Sequence, residues 1–280
     1  MSHEIEMKLA LGETGPQLLL QHPLLRNGVD AAQRLANTYY DTRQGELEAA
    51  RIALRLRRCN DSWVQTLKTS GEGSGGFSRR HEWEWPVAGD ALDLAGLAEL
   101  PPCAELGAGV LQRLEPRFTT DFERRLWRLE LADATIEVAL DQGEIRAAGR
   151  RVPIRELELE LKDGDPQALW RLALALAETV PLRPAEASKA ARGSALLSEG
   201  WTLPQGQRDT QRLHRALLAL DAFTDTGEDG WRATARETLL ELDAQVHGEA
   251  GSLADMLERP DWLSVNFGRT ALRLAHRLAA

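Results

Sequence analysis

The sequence has few cysteines and no long apolar run, and each shortage excludes a class of protein. Only Cys59 and Cys103 occur in 280 residues, which is too few for a disulfide framework and gives no zinc-binding spacing. No segment approaches the roughly 18 consecutive apolar residues that a membrane-spanning helix needs. The richest stretch, 169–177, is interrupted by Arg171.

The charge balance limits the partners and the location of the protein. The formal net charge is −9, which argues against a general nucleic-acid binder because such proteins need a basic footprint. Glu4, Glu6 and Lys8 stand where a secretory signal would be apolar. We therefore expect a cytoplasmic protein with no nucleic-acid or membrane partner, and the sequence gives no indication of its oligomeric state.

Lysine is scarce as well. Of the 34 basic residues only four are lysines, namely Lys8, Lys68, Lys162 and Lys189. Arginine fills the ordinary surface roles elsewhere. These four lysines either occur by chance in an arginine-rich sequence or mark positions that need a compact point charge.

Alternation of apolar and polar residues with a period of two dominates the first 162 residues and predicts strands. The glycine-rich segment 71–76 lacks the ending of a phosphate-binding loop and is interpreted as a hairpin loop. After Pro204 the pattern becomes almost wholly helical. The predicted strands are 3–11, 37–42, 51–58, 62–69, 77–87, 116–132, 135–142 and 153–162, with turns at 133–134 and 141–143.

Several of these strands carry like charges on one face. Glu156, Glu158 and Glu160 alternate with leucines, and Arg55 and Arg57 do the same. A solvated sheet face is the ordinary explanation for any single strand, but three adjacent carboxylates repel each other. Divalent Mg²⁺ or Mn²⁺ would relieve that repulsion, and arginines without interspersed acids indicate a polyanion.

About eight antiparallel strands can close into a barrel. Its apolar face would be covered by helices, and its charged face would point inward and bind a metal-chelated phosphate chain. The predicted fold class is α+β: a closed antiparallel eight-stranded barrel with flanking helices, followed by a small all-helical C-terminal region.

Short motifs follow one another through residue 193: Glu4-Ile5-Glu6-Met7-Lys8, Tyr39-Tyr40-Asp41-Thr42, Leu54-Arg55-Leu56-Arg57, Thr66-x-Lys68, Arg80-x-Glu82-x-Glu84, Leu140-Asp141, Glu156-x-Glu158-x-Glu160 and Ser188-Lys189-Ala190-Ala191-Arg192-Gly193. This ordered set resembles the CYTH superfamily, the triphosphate tunnel metalloenzymes, over about residues 1–200. It is most similar to the bacterial inorganic triphosphatases of that superfamily.

The resemblance implies a role for each matched position. Metal ions, Mg²⁺ or Mn²⁺, would be held by Glu4, Glu6, Glu158 and Glu160. Phosphate oxygens would be bound by Lys8, Arg55, Arg57, Lys68, Arg80 and Arg124. Lys189 and Arg192, on a helix that plugs the tunnel, would lie near the reacting phosphoryl group. The sequence leaves the acceptor of the proton from the attacking water open between Glu156 and Lys189.

The implied activity is metal-dependent hydrolysis of inorganic triphosphate, or of another short polyphosphate, with triphosphate giving pyrophosphate and phosphate. The alternatives are adenylate cyclase or thiamine triphosphatase activity in the same superfamily, or a non-catalytic polyphosphate-binding module. We expect a tunnel domain over 1–202 and a helical region over 203–280. Related triphosphatases often carry a helical CHAD domain there, so this region is interpreted as a short remnant of that domain or as an unrelated helical cap.

Overall fold

The computed structural model describes residues 2–26, 30–198, 200–246 and 248–279. Eight strands form a closed antiparallel barrel in the order β1-β5-β4-β3-β2-β6-β7-β8, and β8 pairs with β1 to complete the ring. They are β1 Ser2–Leu11, β2 Asp30–Asp41, β3 Ile52–Cys59, β4 Ser62–Thr69, β5 Phe77–Val87, β6 Glu115–Glu130, β7 Ala134–Ala147 and β8 Arg150–Gly164.

These strands confirm the predicted eight-stranded barrel, and the structure adds one short strand. The additional strand, β9, spans Leu182–Pro184 and pairs with Leu9–Leu11 of β1, beyond the stretch of β1 that pairs with β5. Three residues are too few to show a period of two, so the sequence pattern did not reveal β9.

The turn predicted at 141–143 was wrong, because β7 continues through this segment to Ala147. Gly143 indicated a turn, but its role is close approach between strands. A Cβ added there would lie 2.2 Å from the carbonyl oxygen of Asp121 on β6. Glycine in a strand interior commonly marks such an approach.

Helices cover the outside of the barrel and form most of the C-terminal region. Just before α6, Asp165 accepts a hydrogen bond from the backbone N of Gln167, the first residue of the helix, at 3.0 Å. The helices are α1 Gly15–Gln21, α2 Glu46–Ala49, α3 Leu94–Ala98, α4 Pro101–Leu106, α5 Ala108–Leu111, α6 Gln167–Leu176, α7 Lys189–Ser198, α8 Asp209–Thr226, α9 Asp229–Val246, α10 Glu249–Met256 and α11 Val265–Ala279.

One hydrophobic core joins the barrel to the C-terminal helices. The outward faces of β1 and β8 contribute Leu9 and Leu159, while α8 and α11 contribute Leu217 and Leu272. The barrel is therefore covered on this side by residues from beyond position 203. Among the described helices, none combines the length and apolar character needed to cross a membrane.

Candidate active site

The barrel interior is a cavity of about 630 Å³ lined by all eight barrel strands and by α7. Side chains along each strand point alternately into the cavity and into the outer core, and this alternation explains why the cavity is lined with charged groups. On β1, Met7 and Leu9 are fully buried in the outer core, while Glu4, Glu6 and Lys8 line the cavity. The interior is therefore charged, as the sequence pattern indicated.

Strand register determines which charges are neighbours. Glu156 of β8 lies opposite Asp141 of β7, and Asp141 lies opposite Arg124 of β6. One step further along β8, Glu158 lies opposite Lys8 of β1. Residues far apart in sequence are thus placed in two adjacent rows on one side of the barrel.

Glu4 is at the centre of a cluster of ion pairs on β1, β4 and β5. Both of its carboxylate oxygens accept hydrogen bonds from Lys68 Nζ at 2.8 Å, and Arg80 Nε donates to it at 2.7 Å. Arg80 also donates to Glu6 at 2.7 Å. Burial alone would raise the pKa of Glu4, but Lys68 and Arg80 outweigh it and lower this pKa to about 2. Glu4 is therefore ionised at neutral pH.

The four carboxylates predicted to hold metal each contact a basic side chain in this structure. Glu160 is the register partner of Glu6 and forms an ion pair with Lys162 at 2.7 Å. Glu158 accepts a hydrogen bond from Arg124 at 2.5 Å. The cavity thus stabilises its acidic groups by pairing them with cations, as buried charges require.

The segment that carries Lys189 begins and packs for local reasons. The Ser188 hydroxyl accepts a hydrogen bond from the backbone N of Ala191 at 3.1 Å and so caps the start of α7. Gly193 lies directly against the ring of Phe118, where an added Cβ would be 2.2 Å from Cε2. A small residue at 193 therefore lets the helix approach the barrel wall.

Lys189 enters a group of three carboxylates. Its Nζ lies 2.7 Å from Asp141 and 3.0 Å from Glu158, and it also contacts Glu156. Burial alone would lower the pKa of Lys189, but the charges of Asp141, Glu156 and Glu158 outweigh it and raise this pKa above its usual value. Lys189 is therefore held as a cation.

The same three carboxylates form a candidate site for a metal ion. Asp141, Glu156 and Glu158 can each place one oxygen within 4.8 Å of the others. Oxygen donors of this type suit hard divalent ions. Asp141 belongs to the Leu140-Asp141 motif, which by itself predicted no role for it; its place on the polar face of a strand was the available signal.

Arg55 and Arg57 differ from the other cations of the cavity. Among the described residues Arg57 has no ion-pair partner, and its Nε donates to the neutral side chain of Asn37 at 2.8 Å. Arg55 has only Glu84, at 3.8 Å, and its buried Nε has no hydrogen-bond partner in the described part of the chain. Burial, together with Arg55 and Arg124, lowers the pKa of Arg57 to about 9. In the described part of the chain these two adjacent positive charges therefore share one distant carboxylate, Glu84.

Two of the predicted site residues lie outside the main cavity. Glu156 and Arg192 line a separate cavity of about 30 Å³ behind Lys189, together with Asp225 of α8. Asp225 was not predicted, because it lies 33 residues from Arg192 on a helix whose pattern gives no sign of the contact. The other predicted residues line the main cavity: Glu4, Glu6, Lys8, Arg55, Arg57, Lys68, Arg80, Arg124, Glu158, Glu160 and Lys189.

Comparisons with known proteins agree with this architecture. An inorganic triphosphatase from Haemophilus influenzae is 36% identical over 208 residues, which cover 71% of this chain and 56% of that protein. The chain thus spans a little over half the length of that relative.

A solved structure shows the same fold. It is that of an adenylyl cyclase candidate from Hippeastrum, described as having a dominant triphosphatase activity, and it matches with a TM-score of 0.55 and 22% identity. The match covers 71% of this chain and 97% of the Hippeastrum chain. The sequence model of the CYTH domain matches residues 2–194, and the chain therefore belongs to the CYTH domain family.

Proposed function

We propose that this protein is a metal-dependent inorganic triphosphatase that hydrolyses triphosphate to pyrophosphate and phosphate inside the barrel. The observation that carries the proposal is the pair Arg55 and Arg57 in the cavity, for which the described residues supply a single, distant carboxylate, Glu84 at 3.8 Å from Arg55. Uncompensated buried cations are costly, and a polyanionic substrate offsets that cost. The inorganic triphosphatase of Haemophilus influenzae, to which the chain is similar, supports the same activity.

The phosphate chain would bind first to the side of the barrel formed by β3. Arginine donates forked hydrogen bonds that match phosphate oxygens. Asn37 holds Arg57 by accepting from its Nε at 2.8 Å, and Asn37 in turn donates to Thr120 at 2.9 Å. Arg57 is thereby fixed in place, and its terminal nitrogens remain for the substrate. Lys8, Lys68, Arg80 and Arg124 would supply further positive charge along the chain.

The carboxylates of the cavity fit a divalent ion of the Mg²⁺ or Mn²⁺ type, because they offer only hard oxygen donors. We assign the metal to Glu4, Glu6, Glu158 and Glu160, with Asp141 and Glu156 as neighbours of Glu158. When bound, such an ion supplies neutralisation of phosphate charge and activation of water.

Hydrolysis requires a water oxygen to form a bond to the terminal phosphorus while the bond to the bridging oxygen breaks. Lys189 is held as a cation, so its part is to donate to a phosphoryl oxygen and stabilise charge in the transition state. Of the two candidate acceptors for the proton of the water, this disfavours Lys189; Glu156, which contacts Lys189 from outside the main cavity, is the candidate that remains. Arg192 supports the same group from behind, with Nη1 at 3.6 Å from Glu156.

A substrate panel tests the proposal. Phosphate release is measured from inorganic triphosphate, thiamine triphosphate and ATP, each with Mg²⁺, with Mn²⁺ and with a chelator. We expect the highest kcat/KM for inorganic triphosphate and no turnover with the chelator. Faster formation of a cyclic nucleotide from ATP, preference for thiamine triphosphate, or binding without turnover would each contradict the proposal. Cytoplasmic location and the absence of nucleic-acid partners stay predictions from the sequence.

A further inference from the structure

Helix α8 contacts the segment that leads into α7 through a single face. His214, Asp221 and Asp225 are spaced by seven and four residues, which places them on one side of a helix. His214 Nδ1 lies 3.0 Å from Glu186, just before the start of α7. None of these α8 residues belongs to the motifs that mark the barrel.

Asp221 fixes the backbone that precedes Lys189. Its carboxylate accepts hydrogen bonds from the backbone N of Glu186 at 2.8 Å and of Ala187 at 2.7 Å. It also accepts from Arg183 Nη1 at 2.7 Å. Asp221 and Arg183 are both buried, so these contacts are shielded from water and determine where α7 begins.

Asp225 holds the second basic side chain of α7. Arg192 donates to it through Nε at 3.0 Å and through Nη2 at 2.6 Å, a forked pair. The Nη1 atom of the same guanidinium is 3.6 Å from Glu156, and Glu156 contacts Lys189. A continuous series of contacts thus runs from Asp225 through Arg192 and Glu156 to Lys189.

Through this series of contacts, the charge of Asp225 affects the position of Lys189. Arg192 is buried, and a buried guanidinium needs a carboxylate partner. With Asp225 neutral, the ion-pair partner that the described residues leave to Arg192 is Glu156, at 3.6 Å from Nη1, so Arg192 would turn toward it. The ion pair between Arg192 and Glu156 would then become stronger, and the contact between Glu156 and Lys189 would weaken.

We propose that Asp225 is a positioning residue for the triphosphatase reaction: by binding Arg192 it keeps Glu156 available to orient Lys189 toward the phosphoryl group. The inference rests on the proposed function and extends it, because it makes a helix of the C-terminal region part of the active-site apparatus. Asp225 acts through Arg192 and does not touch the main cavity.

Steady-state kinetics of the full chain test the proposal. Asp225→Asn is expected to lower kcat for inorganic triphosphate by about 10- to 100-fold, the scale of a 1 Å misplacement. KM should change by less than about threefold, since Arg55 and Arg57 are unaffected. Asp225→Glu, which keeps the charge, should retain more of kcat than Asp225→Asn. Asp209→Asn is the matched control and should match the wild type, because Asp209 lies on the same helix, is more exposed and pairs with Arg212 of that helix.

A double-mutant cycle separates positioning from general destabilisation. If Asp225 acts through Arg192, the double variant Asp225→Asn/Arg192→Gln should be no slower than Arg192→Gln alone. Losses that multiply, or an unchanged kcat in folded Asp225→Asn, would show the proposal to be wrong. If Asp225→Asn does not fold, Arg192→Lys gives the same comparison, because it keeps a cation but loses the forked pair.

Hydrogen exchange provides a readout that does not need activity. In Asp225→Asn, amide exchange should rise in residues 186–198 and stay unchanged in α6, whereas Asp209→Asn should alter neither. If the wild type fails to hydrolyse triphosphate, the proposed function fails, and the exchange data still decide whether Asp225 holds α7. Unaltered exchange in 186–198 would overturn the positioning role whatever the activity of the wild type.

Discussion

Single side chains in the cavity fall into two groups according to how their charge is balanced. Lys189 belongs to the first group, because three carboxylates surround its Nζ. Arg57 belongs to the second, since its hydrogen-bond partner Asn37 is neutral. Members of the first group are already paired with carboxylates, whereas members of the second are available to an incoming anion. Substitutions in the first group should therefore lower kcat, and substitutions in the second group should weaken substrate binding.

Lys189→Arg should reduce kcat by about 10²–10³-fold, the usual cost of losing one transition-state stabiliser. The larger planar guanidinium cannot occupy the space of an ammonium among Asp141, Glu156 and Glu158. Lys162→Arg serves as the comparison, because Lys162 is about a third exposed and pairs with Glu160 near the strand end. Its kcat should stay within about threefold of the wild type. Equal and mild effects at both positions would remove Lys189 from the reaction.

Arg57→Gln should weaken substrate binding and leave the metal requirement unchanged. Loss of a charged hydrogen bond costs about 1.5–3 kcal/mol, which corresponds to roughly a 10- to 100-fold rise in the Kd or KM for triphosphate. Arg58→Gln is the matched control, because the neighbouring side chain points out of the barrel and is exposed. A rise in the metal concentration needed for half-maximal activity would contradict this assignment.

At the level of the secondary-structure elements, the sequence predicted the faces of strands better than their partners. Alternation on β1 and β8 correctly placed Glu4, Glu6 and Glu158 on the cavity side. Register is determined by contacts between distant segments, so nothing local predicted that Asp141 would stand beside Glu156. Short elements such as β9 and α2–α5 also lack enough residues for a period to be visible.

The turn predicted at Gly143 was wrong for the same reason: contacts with a distant strand are not visible in the local sequence. Gly143 and a turn glycine look alike in sequence, and only the position of Asp121 on the neighbouring strand distinguishes them. Asp225 was missed because a helix pattern reports which face is apolar and not which polar group meets a partner. The sequence predicted that the barrel interior is charged. Which charged residues pair with each other, and which of them contact α8, is visible only in the folded structure.

The packing of helix α7 against the barrel wall can be tested by a substitution at Gly193. Gly193→Ala should destabilise the protein by about 1–3 kcal/mol, as overpacking typically does, because the new Cβ would meet the ring of Phe118. The measurement is the free energy of unfolding in urea. Gly230→Ala in α9 is the control, since nothing lies within 4 Å of a Cβ there. Phe118→Leu should partly restore the stability of Gly193→Ala; an equal loss at Gly193 and Gly230 would contradict the packing explanation.

On the scale of the whole molecule, the barrel and the C-terminal helices share one core. Outward-facing leucines of β1 and β8 pack in the same cluster as Leu217 and Leu272. Asp221 and Asp225 add buried ion pairs across the same boundary. The two regions expected at 1–202 and 203–280 are thus joined by both apolar and ionic contacts.

Leu272→Ala should destabilise the barrel as well as the helix that carries it. The expected loss is about 2–5 kcal/mol, the range for a fully buried leucine, with one cooperative transition in urea. Fluorescence of the eight tryptophans and far-ultraviolet circular dichroism should give the same midpoint. Leu240→Ala, at an exposed position of α9, should change stability by less than about 0.5 kcal/mol. Two separate transitions would show that the regions unfold independently.

The closure of the barrel also has a consequence during protein synthesis. Of the eight barrel strands β1 is made before the others, yet its described pairings are with β5, β8 and β9. At about 5–20 residues per second, roughly 8–30 s pass before the ribosome has made its partner β8. Through that interval Glu4, Glu6 and Lys8 lie on a strand whose β8-facing edge has no partner, although β5 is complete at Val87. The first barrel strand to be made is therefore among the last to be paired on both edges, and the ring cannot close around its charges until β8, which ends at Gly164, has emerged.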